Sequence, residues 1–169
     1  MSKAQESISN RDFIRVGRSR IEGKGVFAKR KIPRGTRIIE YAGARVPLER
    51  LLVESTDGHH SQVYLFRLNE STIIDGSVNG NDARFINHSC EPNCEAYVFD
   101  DRIYIYAMRE IVRGEELTFD YKLGPAVSGT RKRGNSQQFV CNCGAPNCRG
   151  TLIAKRSRSR SKSSSKENK

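Results

Sequence analysis

The sequence predicts a mainly β fold, with small sheets of short strands and one short helix. Three observations carry this. Apolar residues come in short runs punctuated by Gly and Pro, two β-rich runs flank an adjacent pair of Asp residues, and strand–helix–strand alternation is missing. The last point argues against a parallel nucleotide-binding sheet. At 169 residues the chain is most simply one domain with tails, long enough to bury a core.

Residues 1–12 are expected to be a flexible start without the apolar stretch of a secretory signal. "GKGVFAKRKIPRGTRIIEYAG" (23–43) reads as short strands joined by tight turns. "VPLERLLVES" (46–55) is the one convincing helix, with Leu48, Leu51 and Leu52 at helical spacing. "SQVYLFRL" and "STIIDG" are further strands, and "EAYVFDDRIYIYAM" is a hairpin turning at Asp100 and Asp101. "KIPRGTRI" and "EIVRGEEL" share an I-x-R-G pattern, one turn type used twice. A folded unit over 13–123 is followed by a polar loop at 124–138, a cysteine-bearing segment at 139–153 and a basic tail at 154–169.

The net charge of +11 is unevenly spread. The last fifteen residues, "KRSRSRSKSSSKENK", hold seven Lys or Arg and one Glu. With no apolar surface to bury, this tail is expected to be disordered. It is either a solubilising run or an electrostatic hold on nucleic acid, an import receptor or an acidic partner. No apolar run approaches the length of a membrane span, so the expected partners exclude a membrane and the chain reads as soluble.

Five cysteines lie at 90, 94, 141, 143 and 148. An odd number, in a chain with intracellular composition, argues against a disulfide framework. Cys141, Cys143 and Cys148, in "CNCGAPNCRG", set three thiols around Gly and Pro in a short loop. Three thiolates on a turn suit tetrahedral zinc, and a closed structural site needs a fourth ligand. Spacing leaves Cys90, Cys94 and His88 as candidates for it.

The stretches "GKGVF", "YLF", "RFINHSCEPNC" and "GEELTFDY", followed by "CNCGAPNC", occur in this order. Together they resemble the SET-domain protein-lysine methyltransferases, most closely the trithorax-like type with a post-SET zinc loop. The resemblance covers about residues 13–153. It implies a SET-domain fold of small β-sheets, in which the C-terminal segment threads beneath a loop as a pseudoknot and 139–153 forms a post-SET zinc-binding segment. It also implies S-adenosylmethionine as cofactor, S-adenosylhomocysteine as product and one structural zinc ion held by Cys90, Cys141, Cys143 and Cys148. Cys94 is then left over as a small thiol.

The remaining site residues come from the same resemblance. Asn87 and His88, with Arg84 alongside, are expected at the cofactor; Glu22, Lys24 and Gly25 belong to a cradle for its methionine part, and Tyr64 and Asn142 are further contacts. Taken alone, His88 would more often be a structural side chain and Tyr64 a strand aromatic. Tyr121 resembles the family's catalytic tyrosine, and Tyr41 is expected to line the same channel. Phe119, two residues before Tyr121, carries no hydroxyl, so a pocket beside it should admit a methylated amine and give di- and trimethyl products.

The substrate implied is a lysine in a histone tail or another basic protein, with the nucleus and chromatin as the expected setting. A bacterial cytoplasm, or delivery into a host cell, is the alternative. The rival function is a basic zinc-containing module that binds nucleic acid or chromatin and carries a silent SET fold; damage to Asn87, His88 or Tyr121 would mark it, and all three are intact.

Overall fold

The computed structural model describes residues 13–50, 64–123 and 139–154. The expected flexible start, the later part of the helix, the start of "SQVYLFRL", the 124–138 loop and the basic run after residue 154 lie outside the described residues.

Among the described residues, ten strands form three small sheets. The first has the order β1 (Ile14–Arg18), β2 (Lys24–Ala28), β10 (Glu116–Phe119), β7 (Asn87–His88). The second is β3 (Arg37–Glu40), β9 (Arg102–Ala107), β8 (Cys94–Phe99), and the third is β4 (Ala44–Pro47), β6 (Thr72–Asp75), β5 (Leu65–Arg67). Sequence reading missed β1, because "IRVGR" has polar and Gly residues at most positions and buries only Ile14 fully. What holds it is its antiparallel pairing with β2 from Ile14 opposite Ala28 to Arg18 opposite Lys24.

The hairpin falls where the two Asp residues predict it. Asp100 and Asp101 both have positive φ, 50° and 54°, which is the turn whose twist matches the flanking strands. The repeated I-x-R-G pattern is likewise one turn used twice. Gly35 and Gly114 have φ of 79° and 85°, and each turn closes with the next residue's amide donating back, Thr36 to Pro33 and Glu115 to Val112. Positive φ at the third turn position selects Gly. The two turns face each other through reciprocal hydrogen bonds of 2.9 Å between Ile32 and Ile111.

The helix expected from Val46 starts at residue 48. Val46 and Pro47 belong to β4, opposite Ile73 and Thr72 of β6. Among the described residues no helix is long and apolar enough to cross a membrane.

The core is rich in isoleucine: Ile32, Ile38, Ile86, Ile103, Ile105 and Ile111 are fully buried with Val26, Leu117 and Cys94. β-branched side chains are stiff and pack well on pleated surfaces. The feature that builds the site is the placement of β10. It runs antiparallel to β2 and parallel to β7, setting Thr118 opposite Asn87 and Phe119 opposite His88. Two segments some thirty residues apart in sequence thus become neighbours. Asn93 (2% exposed) locks the join with both ends of its amide: it donates to Glu115 Oε1 and the Glu116 carbonyl, both at 2.8 Å, and accepts from the Thr118 amide at 2.9 Å.

Candidate active site

The sulfurs of Cys90, Cys141, Cys143 and Cys148 all lie within 4.8 Å of one another, and Cys90 and Cys141 are 3.8 Å apart. Four thiolates at zinc–sulfur distances of about 2.3 Å in a tetrahedron have sulfurs about 3.8 Å apart, so this donor set fits one zinc ion. Backbone amides point at the sulfurs. Cys90 donates to Cys143 at 3.5 Å, Arg149 to Cys90 at 3.4 Å and Gly150 to Cys148 at 3.4 Å. Burial alone would push the Cys143 thiol up, but hydrogen bonds from the Cys90 and Ala145 amides and with the Cys141 and Cys148 thiols bring it down to about 6. Cys94 is excluded from the cluster. It opens β8 opposite Ala107, is fully buried, and burial pushes its thiol up to about 12.

His88 (3% exposed) touches this cluster from inside the fold. Its Nδ1 accepts the Tyr121 amide hydrogen at 3.1 Å, and its Nε2 lies 3.5 Å from Cys90 Sγ. An imidazole that accepts at Nδ1 carries its proton on Nε2 when neutral. Burial holds it below the ordinary histidine value despite the Asp120 carboxylate 3.5 Å from Nδ1. That carboxylate is engaged by the Arg149 guanidinium at 2.6 and 2.9 Å. A cleft of about 370 Å³ opens here, lined by Cys90, Asp120, Lys122, Asn147, Arg149 and Ala154.

From His88 a run of rings leads away from the sulfurs. His88 meets Tyr121 edge-on (5.3 Å between centroids), Tyr121 meets Phe119 (4.9 Å), Phe119 stacks on Phe66 (5.5 Å), and Phe66 meets Tyr41 (5.2 Å). Both phenols donate to carbonyls, Tyr121 to Ile86 at 2.9 Å and Tyr41 to Tyr64 at 2.7 Å. Burial raises both above the ordinary tyrosine value. Each therefore stays a neutral phenol with its hydrogen committed, leaving oxygen lone pairs free to accept.

The loop before β2 is tied to this centre by Asn87. Its Nδ2 donates to the carbonyls of Glu22 (3.3 Å) and Lys24 (2.9 Å) and to Glu116 Oε1 (2.9 Å). Glu116 also accepts from Ser19 Oγ at 2.7 and 3.0 Å. A Cβ on Gly25 would sit 2.3 Å from that carboxylate, so only glycine leaves it room. Glu22 thus acts through its backbone, its side chain being exposed.

Arg84 and Tyr64 meet at Gly76. The Gly76 amide donates to the Tyr64 carbonyl at 2.9 Å, and its own carbonyl accepts from Arg84 at 3.1 Å. A Cβ on Gly76 would lie 2.9 Å from the Tyr41 hydroxyl and 3.2 Å from Arg84 Cβ. The Arg84 guanidinium lies over the Phe85 ring at 4.7 Å, and the Lys24 ammonium lies over the same ring at 5.1 Å. Arg84 Nε is buried without a hydrogen-bond partner among the described residues. An unsatisfied buried donor is costly. A donor of this kind, on a ring that also carries a lysine ammonium, suits a ligand that bears a carboxylate. Asn142 is exposed between two of the cluster's cysteines.

Of the residues singled out in the sequence, the structure brings Cys90, Cys141, Cys143 and Cys148 together, joins His88 to Tyr121, and links Asn87 to the Glu22–Lys24 carbonyls. Sequence reading passed over Glu116, Gly76, Asn93 and Phe66. Glu116 stands in "GEELTFDY", but its role shows only in its contacts with Ser19 and with the open side of Gly25.

Comparison with known proteins gives a consistent result. The SET domain profile matches residues 23–122. The human protein histone-lysine N-methyltransferase 2B is 40% identical over 152 residues, 85% of this chain and 5% of the relative. Histone-lysine N-methyltransferase trr of Drosophila melanogaster is 39% identical over 145 residues, covering 82% of this chain and 6% of that protein. The histone-lysine N-methyltransferase, H3 lysine-4 specific, of Saccharomyces cerevisiae is 38% identical over 148 residues, with 82% and 13% covered. The chain spans a small fraction of the length of these relatives.

Proposed function

Because this chain belongs to the SET-domain family, we propose that it transfers methyl groups from S-adenosylmethionine to the side-chain amine of a lysine in a protein substrate. The observation that carries this reading is a pair of neutral phenols, buried Tyr41 and half-buried Tyr121, joined through Phe66 and Phe119 in one aromatic run. Such a run suits an aliphatic lysine stem, and two accepting oxygens suit its nitrogen.

Asn87 holds the Glu22–Gly25 loop as a cradle, with Lys24, Arg84 and Tyr64 toward the cofactor's carboxylate end and His88 and Asn142 on the sulfur-cluster side. The unpartnered Arg84 Nε supports the fit. Cys90, Cys141, Cys143 and Cys148 would hold one structural zinc, which would tie the 139–153 segment to Cys90 and so to His88. The bound cofactor supplies a methyl on a positively charged sulfur.

The protein's work is on the amine. A lysine has a reference pKa near about 10.4 and arrives as an ammonium without a lone pair. Burial among Tyr41, Phe66, Phe119 and Tyr121 disfavours the charged form, so the proton leaves to water. Neither phenol is the base, since both are held above the ordinary tyrosine value. The Tyr121 oxygen accepts from the remaining N–H and points the lone pair at the methyl. Alignment of this kind contributes several kcal/mol, up to about 7–11.

The relatives' names speak of histones, and the yeast relative's of H3 lysine 4. A histone tail lysine is therefore the proposed substrate, with H3 first, and the nucleus and chromatin the proposed setting. The Ser/Arg/Lys run at 155–169 supplies a polyanion contact secondary to the methyl transfer. The test is incubation with labelled S-adenosylmethionine and a panel of basic proteins, histones included. Label on lysine supports the reading; cofactor binding without label on any lysine refutes it. An electrophoretic shift assay, with and without residues 155–169, tests the polyanion contact separately.

A further inference from the structure

The two I-x-R-G segments lie side by side at the end of the first sheet away from the proposed site. They run antiparallel and are joined at three points. The Ala28 amide donates to the Glu115 carbonyl at 2.9 Å, and the Ala28 carbonyl accepts from the Gly114 amide at 2.8 Å. Ile32 and Ile111 exchange both their bonds. The Gly35 amide donates to the Ala107 carbonyl at 2.8 Å, and the Ala107 amide donates to the Thr36 carbonyl at 3.0 Å. In this register Arg30 stands across from Arg113, and Arg34 across from Arg109. Like charges set opposite one another are destabilising, so folding gains nothing from this pattern.

Ile32 and Ile111 are fully buried, whereas Lys29, Arg30, Lys31, Arg34, Arg109 and Arg113 are all exposed. Against these six cations residues 28–36 and 107–115 carry two carboxylates, Glu110 and Glu115. Glu110 pairs with Lys31 at 2.8 Å, and Glu115 is committed to Arg109, Asn93 and the Val112 amide. Arg30 rests on the Phe13 ring at 4.3 Å, a contact that leaves its charge in place. Among the described residues neither Arg34 nor Arg113 pairs with a carboxylate.

We propose that this face of twin turns is a docking surface for the phosphate backbone of duplex DNA. Four of the six cations are arginines, whose planar forks match phosphate oxygens. The two segments contain no Phe, Tyr or Trp, so they offer no platform on which single-stranded bases would stack. Contacts to phosphate alone hold a duplex without reading its sequence. A duplex presents a fixed row of charge, one for about every 1.7 Å of its axis. Cations carried on two hydrogen-bonded turns suit such a row better than the mobile carboxylates of an acidic peptide. The choice of DNA among duplexes rests on the histone reading above, because a histone tail stands beside DNA. β2 leads from Lys24 at the cradle to Ala28 at this face, a separation of about 13 Å. Docked DNA therefore leaves the cofactor cradle and the aromatic run open.

The test measures binding of the full chain to a short DNA duplex of mixed sequence, by fluorescence anisotropy across a salt series. The double variant Arg34→Gln, Arg113→Gln should bind at least tenfold more weakly. Its slope of log affinity against log salt should be shallower by about 2, at about 0.9 for each lost phosphate contact. The double variant Arg45→Gln, Arg102→Gln removes the same charge beside the Asp100–Asp101 hairpin and should change affinity less than threefold. Both variants should match the wild type in zinc content, thermal melt and labelling of a free H3 tail peptide. Unchanged affinity and slope in the first variant, or an equal loss in the second, would overturn the proposal. So would tighter binding to single-stranded DNA, double-stranded RNA or polyglutamate than to the duplex. Binding lost as expected, in a protein whose wild type labels no basic protein, would uphold the docking surface and overturn the methyltransferase reading alone.

Discussion

The Tyr121 backbone amide donates to Nδ1 of His88 at 3.1 Å. On its other side the same imidazole reaches Cys90 Sγ, 3.5 Å from Nε2. One neutral ring therefore spans the four-sulfur cluster and the proposed catalytic tyrosine. A change in the metal site has a direct route to Tyr121 through two contacts.

Metal removal should therefore abolish activity as well as loosen the 139–153 segment, since folding of such a loop is tied to its ion. Active protein is expected to hold one zinc per chain by elemental analysis. Cys143→Ser should lose both metal and activity. Cys94→Ala, in the core away from the cluster, should keep the full metal complement at a stability loss of about 1 kcal/mol. Loss of zinc in that variant would put the fourth ligand at the wrong cysteine.

Tyr121→Phe removes one hydroxyl and little volume. It leaves the Ile86 carbonyl without its donor, a cost of about 1–3 kcal/mol in stability. Methyl transfer should fall at least a hundredfold while cofactor affinity, read by calorimetry, changes less than threefold. Normal turnover in a folded, cofactor-binding variant would remove Tyr121 from the chemistry.

Phe119 bears on how many methyl groups are added. It is buried between Phe66 and Tyr121 and brings no hydroxyl to the pocket. A tyrosine there could hold the amine, or a water, by a hydrogen bond that must break before a methylated amine rotates, at about 1–3 kcal/mol. Wild-type protein in excess over substrate should reach di- and trimethyl-lysine, and Phe119→Tyr should shift the product toward monomethyl. A wild-type reaction that halts at monomethyl would contradict this.

Gly76→Ala should impair the site without touching the reacting groups. The added methyl meets the Tyr41 hydroxyl and Arg84 Cβ, so both must shift. Activity should drop tenfold or more with a rise in KM for S-adenosylmethionine. Unchanged kinetics would mean that Tyr41 and Arg84 have no positioning role.

Glu115 gives a pH dependence of stability. Burial alone would raise its carboxyl, but hydrogen bonds from Arg109 (2.6 Å), Asn93 (2.8 Å) and the Val112 amide (3.0 Å) hold it below the ordinary glutamate value. A carboxyl depressed in the folded state stabilises above its unfolded pKa, and that contribution fades as pH falls through the folded one. Glu115→Gln should cost about 1 kcal/mol at neutral pH. Denaturant melts of the two proteins should converge as pH falls below the ordinary glutamate range and through the depressed folded-state value, and a constant gap across pH would show that the charge is not what matters.

Local chemistry was legible in the sequence and long-range chemistry was not. Asp100–Asp101 and the two I-x-R-G turns declare themselves because turn geometry depends on adjacent residues. The three cysteines of the last segment do so for the same reason. Spacing did not declare the fourth: Cys90, Cys94 and His88 all stood as candidates, the family resemblance pointed to Cys90, and the structure agrees, with β8 turning Cys94 into the core. Glu116 is the plainest case. Its meaning depends on Ser19, 97 residues away, and on the empty side of Gly25, and no local pattern encodes that. The aromatic run was half legible, through Tyr41, Phe119 and Tyr121, while Phe66 entered only when β5 paired with β6.

The most direct test of the account is mass spectrometry of histone H3 after incubation with the full chain and S-adenosylmethionine, with Tyr121→Phe run in parallel. Methyl groups are expected on the side-chain nitrogen of a tail lysine with wild-type protein, and almost none with the variant at matched cofactor occupancy. Wild-type protein that holds its zinc, binds S-adenosylmethionine and leaves every lysine of H3 and the wider basic-protein panel unmodified would contradict it.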